Sequence, residues 1–207
     1  MNRRLLSSQP GGRTHSPGFS LIELLLVLGV LAILLVAAFV VYPQVRDDSL
    51  SGRAVSNSVA VAANVNGLYH SSSYESLNNA TAINARLVPE QMVVDPSSAQ
   101  LASEWGGAVT VEAAGAGSRG WRLVYEQVPA SICNQMTNGL AAHFTTVAVN
   151  DQVVKDTNTQ VADPGSVAMA CKDTNVLVLG MGTLTGPELL AGAGGRMDGI
   201  PGGETGG

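Results

Sequence analysis

The residues near the N-terminus whose types and spacing could do chemistry are Gly18, Phe19 and Glu23. Hydrolysis of the peptide bond between Gly18 and Phe19 would free an α-amine four residues before the Glu23 carboxylate, and the two groups carry opposite charges at neutral pH. Within one helix these groups could meet only at the first turn. A second copy of the chain, shifted along the helix axis, could place its own amine against this carboxylate. The spacing therefore predicts a chain that associates with copies of itself.

The stretch that follows the acid, residues 24–41, consists of eighteen apolar or glycine residues. As a helix it would be about 27 Å long, close to the roughly 30 Å thickness of a bilayer's hydrocarbon core. A plain membrane anchor for a periplasmic domain is one interpretation of such a segment. Glu23 argues against it, because an acid at the centre of a span costs on the order of 3 kcal/mol, and less near an end. An anchor that has no partner has no use for that acid.

The first eighteen residues form a basic leader that contains Arg3, Arg4 and Arg13. In an ordinary secretory signal the apolar block precedes the cleavage site and is discarded with the leader. Here the apolar block follows Gly18, so cleavage after this glycine would keep the block as the mature N-terminus. Basic residues beside a span stay in the cytoplasm, which places everything after Val41 outside the inner membrane.

A glycine, a hydrophobic first residue and an acid at the fifth mature position make residues 18–42 resemble the type IV pilin family. In that family a prepilin peptidase cuts after the glycine and methylates the new amine, and the acid neutralises the amine of a neighbouring subunit. The resemblance implies these roles for Gly18, Phe19 and Glu23: cleavage, N-methylation and filament assembly. It also implies three partners, which are the prepilin peptidase, the inner-membrane pilus assembly platform and other copies of the chain in a helical filament.

The helical pattern continues past the membrane edge, which Tyr42 and Pro43 mark. Proline in a helix interior lacks a donor and crowds the preceding turn, so a bend is expected near Pro43. The helix is expected to continue to about residue 70, which makes it about 52 residues and about 78 Å long from Phe19. A compact domain does not need a helix of this length, whereas a filament core does. The residues expected on its inner face are Val55, Val59, Ala62, Val65, Leu68 and Tyr69.

The remainder of the chain predicts a loop region followed by a sheet. Residues 71–106 are rich in serine, asparagine and alanine and show no strong period, which favours a loop with one short helix near 76–87. Residues 109–112 and 121–126 alternate in polarity on either side of a glycine-rich turn, so we expect a β-hairpin. Further strands are expected at 144–149, 166–172 and 175–181, with turns at 150–151 and 173–174.

The order of these elements predicts an α+β fold in which a long N-terminal hydrophobic helix packs on a C-terminal antiparallel β-sheet domain. Pro129 is expected to begin a helix within that domain. The inner face of this helix would comprise Ile132, Cys133, Met136 and Leu140. The expected divisions are a leader at 1–18, a transmembrane or filament-core helix at 19–42, its amphipathic continuation at 43–70, an αβ-loop at 71–106, the sheet domain at 107–184 and a disordered glycine-rich tail at 185–207.

The chain has two cysteines, Cys133 and Cys171. Because the expected orientation exports both to an oxidising compartment, a disulfide between them is the favoured interpretation. A zinc pair and a catalytic thiol are the alternatives, but zinc needs two more ligands and a nucleophilic thiol needs a base, and the sequence shows neither. In type IV pilins a late disulfide brackets a segment exposed on the filament, so the resemblance implies that residues 134–170 face outward.

Composition and charge favour a self-associating exported subunit. The formal net charge is −5 and the leader contributes +3, so the mature side chains carry −8, which disfavours nonspecific binding to nucleic acid. The sequence shows no serine elbow, no phosphate-binding glycine loop and no metal-ligand spacing around His70 or His143. We therefore expect no enzymatic activity, no cofactor and no metal. Residues 79–81 match a glycosylation sequon, a pattern that is common by chance.

The leader of eighteen residues and the mature chain of 189 residues are long, as in the type IVb subclass of pilins. Residues 105–111 and 128–133 are also similar to the bundle-forming and conjugative pilins of that subclass. The resemblance implies a structural subunit held in the inner membrane of a Gram-negative bacterium and then polymerised into an extracellular pilus for adhesion, bundling or conjugation. The alternatives are a minor pilin, a type II secretion pseudopilin and, in a different class, a monomeric membrane-anchored periplasmic binding domain.

Overall fold

A computed structural model describes residues 20–70, 72–158 and 161–191 of the 207-residue chain. The expected cleavage site at Gly18 and Phe19 lies outside these residues, and so does the greater part of the expected tail. By their contacts the described residues fall into two parts, one ending at Pro43 and the other beginning at Gln44.

The described residues form helices and strands in the following order. The helices are α1 (Leu21–Leu68), α2 (Asn79–Asn84), α3 (Ala130–Leu140), α4 (Pro164–Ala170) and α5 (Gly186–Leu190). The strands are β1 (Val93–Asp95), β2 (Gln100–Ala102), β3 (Ala108–Ala114), β4 (Gly120–Pro129), β5 (Thr146–Val149), β6 (Gln152–Lys155) and β7 (Thr174–Gly182). Short 3₁₀ turns lie at Glu90–Met92 and Ala116–Ser118.

The part that ends at Pro43 is the first half of α1. Its large apolar side chains between Leu21 and Val41 are 47–78% exposed. The segment is continuously apolar and rich in residues with good helix propensity, which accounts for the helix. Its glycine and β-branched residues form no run longer than one helical turn. Helical backbone continues through Pro43. The bend expected there stays a prediction.

The part that begins at Gln44 is built around one seven-stranded sheet of order β1-β2-β3-β4-β7-β5-β6. Every neighbouring pair is antiparallel. The hairpin expected in the sequence is β3–β4, in which Val111 pairs with Leu123 and Ala113 with Trp121. Together with the long helix, this sheet confirms the α+β fold class.

The second half of α1 packs on one face of this sheet. Ala54, Val61 and Val65 are fully buried on the inner face of the helix. They belong to one hydrophobic core with Trp121 and Leu123 of β4, which are also fully buried. The expected inner face was wrong at one position, because Leu68 is exposed at the end of the helix while the next residue, Tyr69, is buried.

The strand expected at 166–172 is wrong, because this segment forms α4. The Asp163 carboxylate accepts a hydrogen bond from the Ser166 backbone at 2.8 Å, and Pro164 occupies the first helical turn. Both are helix-start signals, and the apolar run that follows satisfies a helix as well as a strand. The strand at this edge of the sheet is β6 instead, which immediately follows the expected turn at 150–151, and β1 forms the other edge.

Two further boundaries differ from the sequence-based expectation. Strands β1 and β2 extend the sheet into the region 71–106 that was expected to be a loop, although α2 does lie within the short helix expected there. Disorder was expected from residue 185 onward, but α5 forms with a capping box between Thr185 and Glu188. The capping box stabilises the start of this helix. The glycine-rich composition around it had led to the expectation of disorder. Residues 192–207 lie outside the described part of the chain.

Candidate functional site

Glu23 lies in the first turn of α1. The carbonyl of Ser20 accepts hydrogen bonds from the backbone of Glu23 at 3.0 Å and of Leu24 at 3.1 Å, which closes that turn. The Glu23 side chain is exposed, and it forms no salt bridge with any residue that the structure describes. An acid near a helix N-terminus is favoured by the helix dipole, so the helix itself tolerates Glu23 there. Gly18 and Phe19 lie outside the described residues, so their expected proximity to Glu23 stays a prediction.

The surface around Glu23 is apolar and uncovered. Leu21 and Ile22 beside it are 75% and 73% exposed. By length and composition α1 is able to cross a membrane, and none of its most apolar 18-residue stretch is buried within the described chain. Leaving this much apolar surface in water is unfavourable, so the segment needs lipid or another protein surface around it.

The disulfide expected in the sequence is present. Cys133 and Cys171 are joined with a Cα–Cα distance of 6.0 Å and are separated by 38 residues. Cys133 is fully buried on the inner face of α3, and Cys171 caps the end of α4 just before β7. The bond therefore ties two helices together beside the central strands of the sheet.

Two asparagines that the sequence analysis missed hold the segment around Cys171. The Asn150 side chain donates to the carbonyl of Ala170 at 2.9 Å and accepts from the backbone of Val176 at 2.9 Å.

The fully buried Asn175 side chain donates to the carbonyl of Val128 at 3.1 Å and to that of Lys172 at 2.7 Å. These amides satisfy backbone groups at the end of α4, before β7 and within β4 and β7. The only sequence signal was the turn at 150–151, where Asn150 adopts a left-handed conformation with φ of 58°.

A buried hydroxyl pair fixes α1 against the sheet. Ser58 Oγ donates to the carbonyl of Ala54 at 2.7 Å, and it lies 2.8 Å from the hydroxyl of Tyr125. A serine hydroxyl has one hydrogen, so Tyr125 is the donor in the second contact. Burial raises the pKa of Tyr125, which keeps its hydroxyl protonated at physiological pH. A second hydrogen bond also joins α1 to the sheet: Trp121 Nε1 donates to the Asn66 side chain at 3.0 Å.

The remaining sequence candidates do not converge on a site. No group of three or more His, Cys, Asp or Glu residues comes together within the described residues. His70 and His143 are exposed. Asn79, the acceptor residue of the sequon, donates to the carbonyl of Val109 at 3.2 Å and accepts from the backbone of Val111 at 2.7 Å. Its amide therefore serves to hold α2 against β3.

A known protein family matches this chain, and the match covers most of the domain just described. The family model described as PilS N terminal matches residues 51–181, which is more than half of the chain. The chain belongs to the PilS family of type IVb pilins. The model described as the prokaryotic N-terminal methylation motif matches residues 13–39 of this pilin and so includes Gly18, Phe19 and Glu23.

Two curated relatives of this pilin are each described as the major structural subunit of the bundle-forming pilus. They come from Escherichia coli O127:H6 (strain E2348/69 / EPEC) and Escherichia coli O111:H-. Each is 24% identical over 180 residues, covering 79% of this chain and 91% of the relative. The crystal structure of the type IV b pilin from Salmonella typhi matches with a TM-score of 0.53 and 22% identity, over 64% of this chain and 99% of that one. This likeness shows that the two share a fold.

Proposed function

We propose that this pilin is the structural subunit of a type IVb pilus and polymerises through the first half of α1. The observation that carries the proposal is the uncovered apolar surface of that helix, whose large side chains are 47–78% exposed between Leu21 and Val41. Lipid covers this surface in the inner membrane before assembly, and other copies cover it in the extracellular filament. The folded domain that begins at Gln44 supplies the filament's outer surface.

Processing begins at the bond between Gly18 and Phe19. A prepilin peptidase cuts this bond and methylates the amine of Phe19, which is supported by the methylation-motif match over residues 13–39. The cleavage discards the basic leader and exposes a cation at the tip of an apolar helix. An inner-membrane assembly platform then moves the subunit into the growing filament.

Glu23 guides the assembly step. Its carboxylate is exposed on the first turn of α1 and has no ion-pair partner within the described residues. A charged group in an apolar surrounding is stabilised by an opposite charge at close range. The methylated amine of Phe19 on a neighbouring copy supplies that charge when the two helices are offset along their axes.

The filament formed in this way serves adhesion, bundling or conjugation. Bundling is supported by the two Escherichia coli relatives, each described as the major structural subunit of a bundle-forming pilus. The two relatives align over 91% of their own length, so the correspondence extends across the folded domain as well as the helix.

Mass spectrometry of protein sheared from the cell surface tests this function. The expected result is an abundant filament protein whose N-terminal peptide starts at an N-methylated Phe19. A full-length chain that starts at Met1 and stays in the membrane fraction would refute processing and polymerisation together. A processed chain that is absent from sheared filaments would instead identify a monomeric anchored domain or a secretion pseudopilin.

A further inference from the structure

The described chain ends with residues 183–191, which lie across the face of the sheet opposite the second half of α1. We call this segment the strap. Leu184 and Leu189 of the strap are fully buried. They form a second hydrophobic core with side chains from β3, β4, β5 and β7, which are Ala114, Val124, Ala148, Val176 and Val178. Cleavage and polymerisation of α1 do not require this cover.

Two glycines shape the sheet to receive these leucines. A Cβ atom added at Gly120 would lie 2.7 Å from Leu184 Cγ, and one at Gly180 would lie 2.5 Å from Leu189 Cδ1. Both distances are well below the roughly 3.5–4.0 Å at which carbon atoms pack. A larger residue at either position would therefore displace the strap.

Arg122 on β4 holds the end of the strap. Its side chain is 7% exposed, and Nη1 donates to the carbonyl of Leu189 at 2.7 Å and to that of Ala191. Its Nε and Nη2 atoms each lie 2.9 Å from Glu112 Oε1 on β3. A buried guanidinium needs such a counter-charge, so Glu112 holds the strap through Arg122.

Glu188 holds the start of the strap. Its Oε2 atom accepts hydrogen bonds from the backbone and the side chain of Thr185 at 2.9 and 2.8 Å. Its Oε1 atom accepts from the backbone of Ala116 at 3.3 Å, which joins the strap to the 3₁₀ turn before β4. Thr146 on β5 adds a hydrogen bond to the carbonyl of Leu184 at 3.1 Å.

The charged groups that face these two carboxylates within the described residues are Arg119 and Arg122. Both arginines stay protonated in acid, so only the carboxylates change charge. Strands β5, β6 and β7 contribute no titratable side chain to the described surface under the strap. The residues that they place there are Thr146, Ala148, Val153, Val176, Val178 and Gly180.

The hydrogen bonds from Thr185 and Ala116, with a smaller contribution from Arg119, hold the pKa of Glu188 below its ordinary value of 4.5. A lowered pKa means that the stabilisation is fully present above pH 4.5 and is lost as the pH falls through the lowered value. Closure of the strap and ionisation of Glu188 therefore favour each other.

We propose that the strap is an acid-sensitive latch, which protonation of Glu188 and Glu112 releases from the sheet. A protonated carboxyl accepts hydrogen bonds more weakly than a carboxylate, and protonated Glu112 would leave the guanidinium of Arg122 buried without a counter-charge. Release lets both groups reach water and uncovers apolar side chains of β4, β5 and β7. This device does not depend on the proposed function, because every contact that it uses lies within one chain.

Hydrogen exchange of the purified mature chain in detergent, followed by mass spectrometry, tests the release. The amides of Leu189 and Ala191 donate within the strap at 2.9 Å, and a helix as short as α5 does not persist once it leaves the sheet. Their protection is expected to be at least about fivefold lower at pH 3 than at pH 6, after correction for the exchange rate of a synthetic peptide of residues 183–191. The amides of α3 are the internal reference and should keep their protection.

A variant that mimics the protonated pair separates release from general effects of acid. Glu112→Gln combined with Glu188→Gln should show at pH 6 the lowered protection that the wild type shows at pH 3. Glu75→Gln combined with Glu90→Gln is the matched control, since both acids are exposed and lie outside the strap. This control should be protected as the wild type is at pH 6.

A disulfide between the strap and β6 tests whether the strap moves. A Cβ atom at Gly186 would lie 3.6 Å from Val153 Cβ, a separation that a disulfide spans. The oxidised pair Val153→Cys with Gly186→Cys should keep its protection at pH 3. The matched pair Val153→Ser with Gly186→Ser should lose it.

Loss of protection that is confined to the strap, reproduced by the glutamine pair and abolished by the disulfide supports the latch. Equal protection of the glutamine pair and the wild type at pH 6 overturns it, because the two carboxylates would then not hold the strap. An acid effect that the disulfide leaves unchanged also overturns it, since the strap would then lose its structure without leaving the sheet.

Discussion

Glu23 places a negative charge on the first turn of an otherwise apolar helix segment. Such a charge is stabilised where an opposite charge lies close to it. The described residues offer no ion-pair partner, whereas in the proposed filament a processed neighbouring copy would offer an amine. Under the proposed function the carboxylate stabilises an arrangement of two copies.

Substitution of this residue gives the first prediction. Glu23→Ala should be cleaved and methylated normally, because the altered side chain is distant from the scissile bond by four residues. It should assemble at least about tenfold less well, the effect of losing roughly 1.4 kcal/mol from each subunit contact. Immunoblots of sheared filaments and of the membrane fraction measure this, with Glu23→Asp as the matched control that keeps the charge. Filament yield equal to wild type would contradict the assembly role.

The hydroxyl pair of Ser58 and Tyr125 gives the second prediction, an asymmetry between two deletions. In Tyr125→Phe the serine keeps its hydrogen bond to the carbonyl of Ala54. In Ser58→Ala the buried tyrosine hydroxyl loses its acceptor and remains unsatisfied, which costs about 1–3 kcal/mol. Urea unfolding of the purified chain should therefore show Ser58→Ala to be the less stable variant. The reverse order would mean that Tyr125 does not donate to Ser58.

Asp95 gives the third prediction, which concerns acid stability. Hydrogen bonds from the Ser97 and Ser98 side chains lower the pKa of Asp95 from 3.8 to about 2. A lowered folded-state pKa means that the stabilising effect is fully present above pH 3.8 and is lost as the pH falls toward 2. The melting temperature of the wild type should exceed that of Asp95→Asn at pH 6, and the two should converge between pH 3.8 and 2. A gap that stays constant across this range would contradict the shift.

At the scale of elements, the disulfide and the buried asparagines connect α3, α4 and β7 into one unit. Cys133 lies on α3 and Cys171 at the end of α4, while Asn150 reaches from the β5–β6 turn to the last carbonyl of α4. Helix α4 is only seven residues long, too short to be stable by itself. Its position therefore depends on these cross-links.

Removal of the disulfide is the fourth prediction. The double substitution Cys133→Ser with Cys171→Ser should lower the free energy of unfolding by about 4 kcal/mol, the loop-closure value for the 38-residue separation. Limited proteolysis should then cut first within residues 161–170, because α4 loses its covalent attachment. Unchanged unfolding and an unchanged digestion pattern would show that the asparagine network alone holds the segment.

The elements that the sequence predicted well are those with a local signal. Apolar continuity predicted the first half of α1, alternation predicted the β3–β4 hairpin, and a proline start with four apolar residues predicted α3. Helix α4 was missed because its apolar residues fit either period over seven residues, and the cap at Asp163 decided the outcome. Ser58 and Asn57 could not be assigned to the buried side of α1, because their partners Tyr125 and Glu104 lie far away in the sequence.

At the scale of the whole molecule, strand order depends on pairings that no local pattern reports. Strand β7 lies between β4 and β5, so that Tyr125 pairs with Leu177 and Val147 with Leu179. The hydrogen bond from Asn57 Nδ2 to Glu104 Oε1 depends on the same long-range arrangement, because it forms only where the loop after β2 reaches α1. The resemblance to type IV pilins was accessible from the sequence because its main signal lies in the contiguous residues 18–42. The contact between Asn57 and Glu104 was not, because these residues are 47 apart in the sequence.

Helical reconstruction of wild-type filaments by electron cryomicroscopy tests the central claim most directly. The account predicts that residues 21–42 of neighbouring copies pack around the filament axis. It also predicts that each Glu23 carboxylate lies within about 4 Å of the methylated Phe19 amine of another copy. Filaments in which this segment lies on the outer surface, or in which Glu23 faces no amine, would contradict the account.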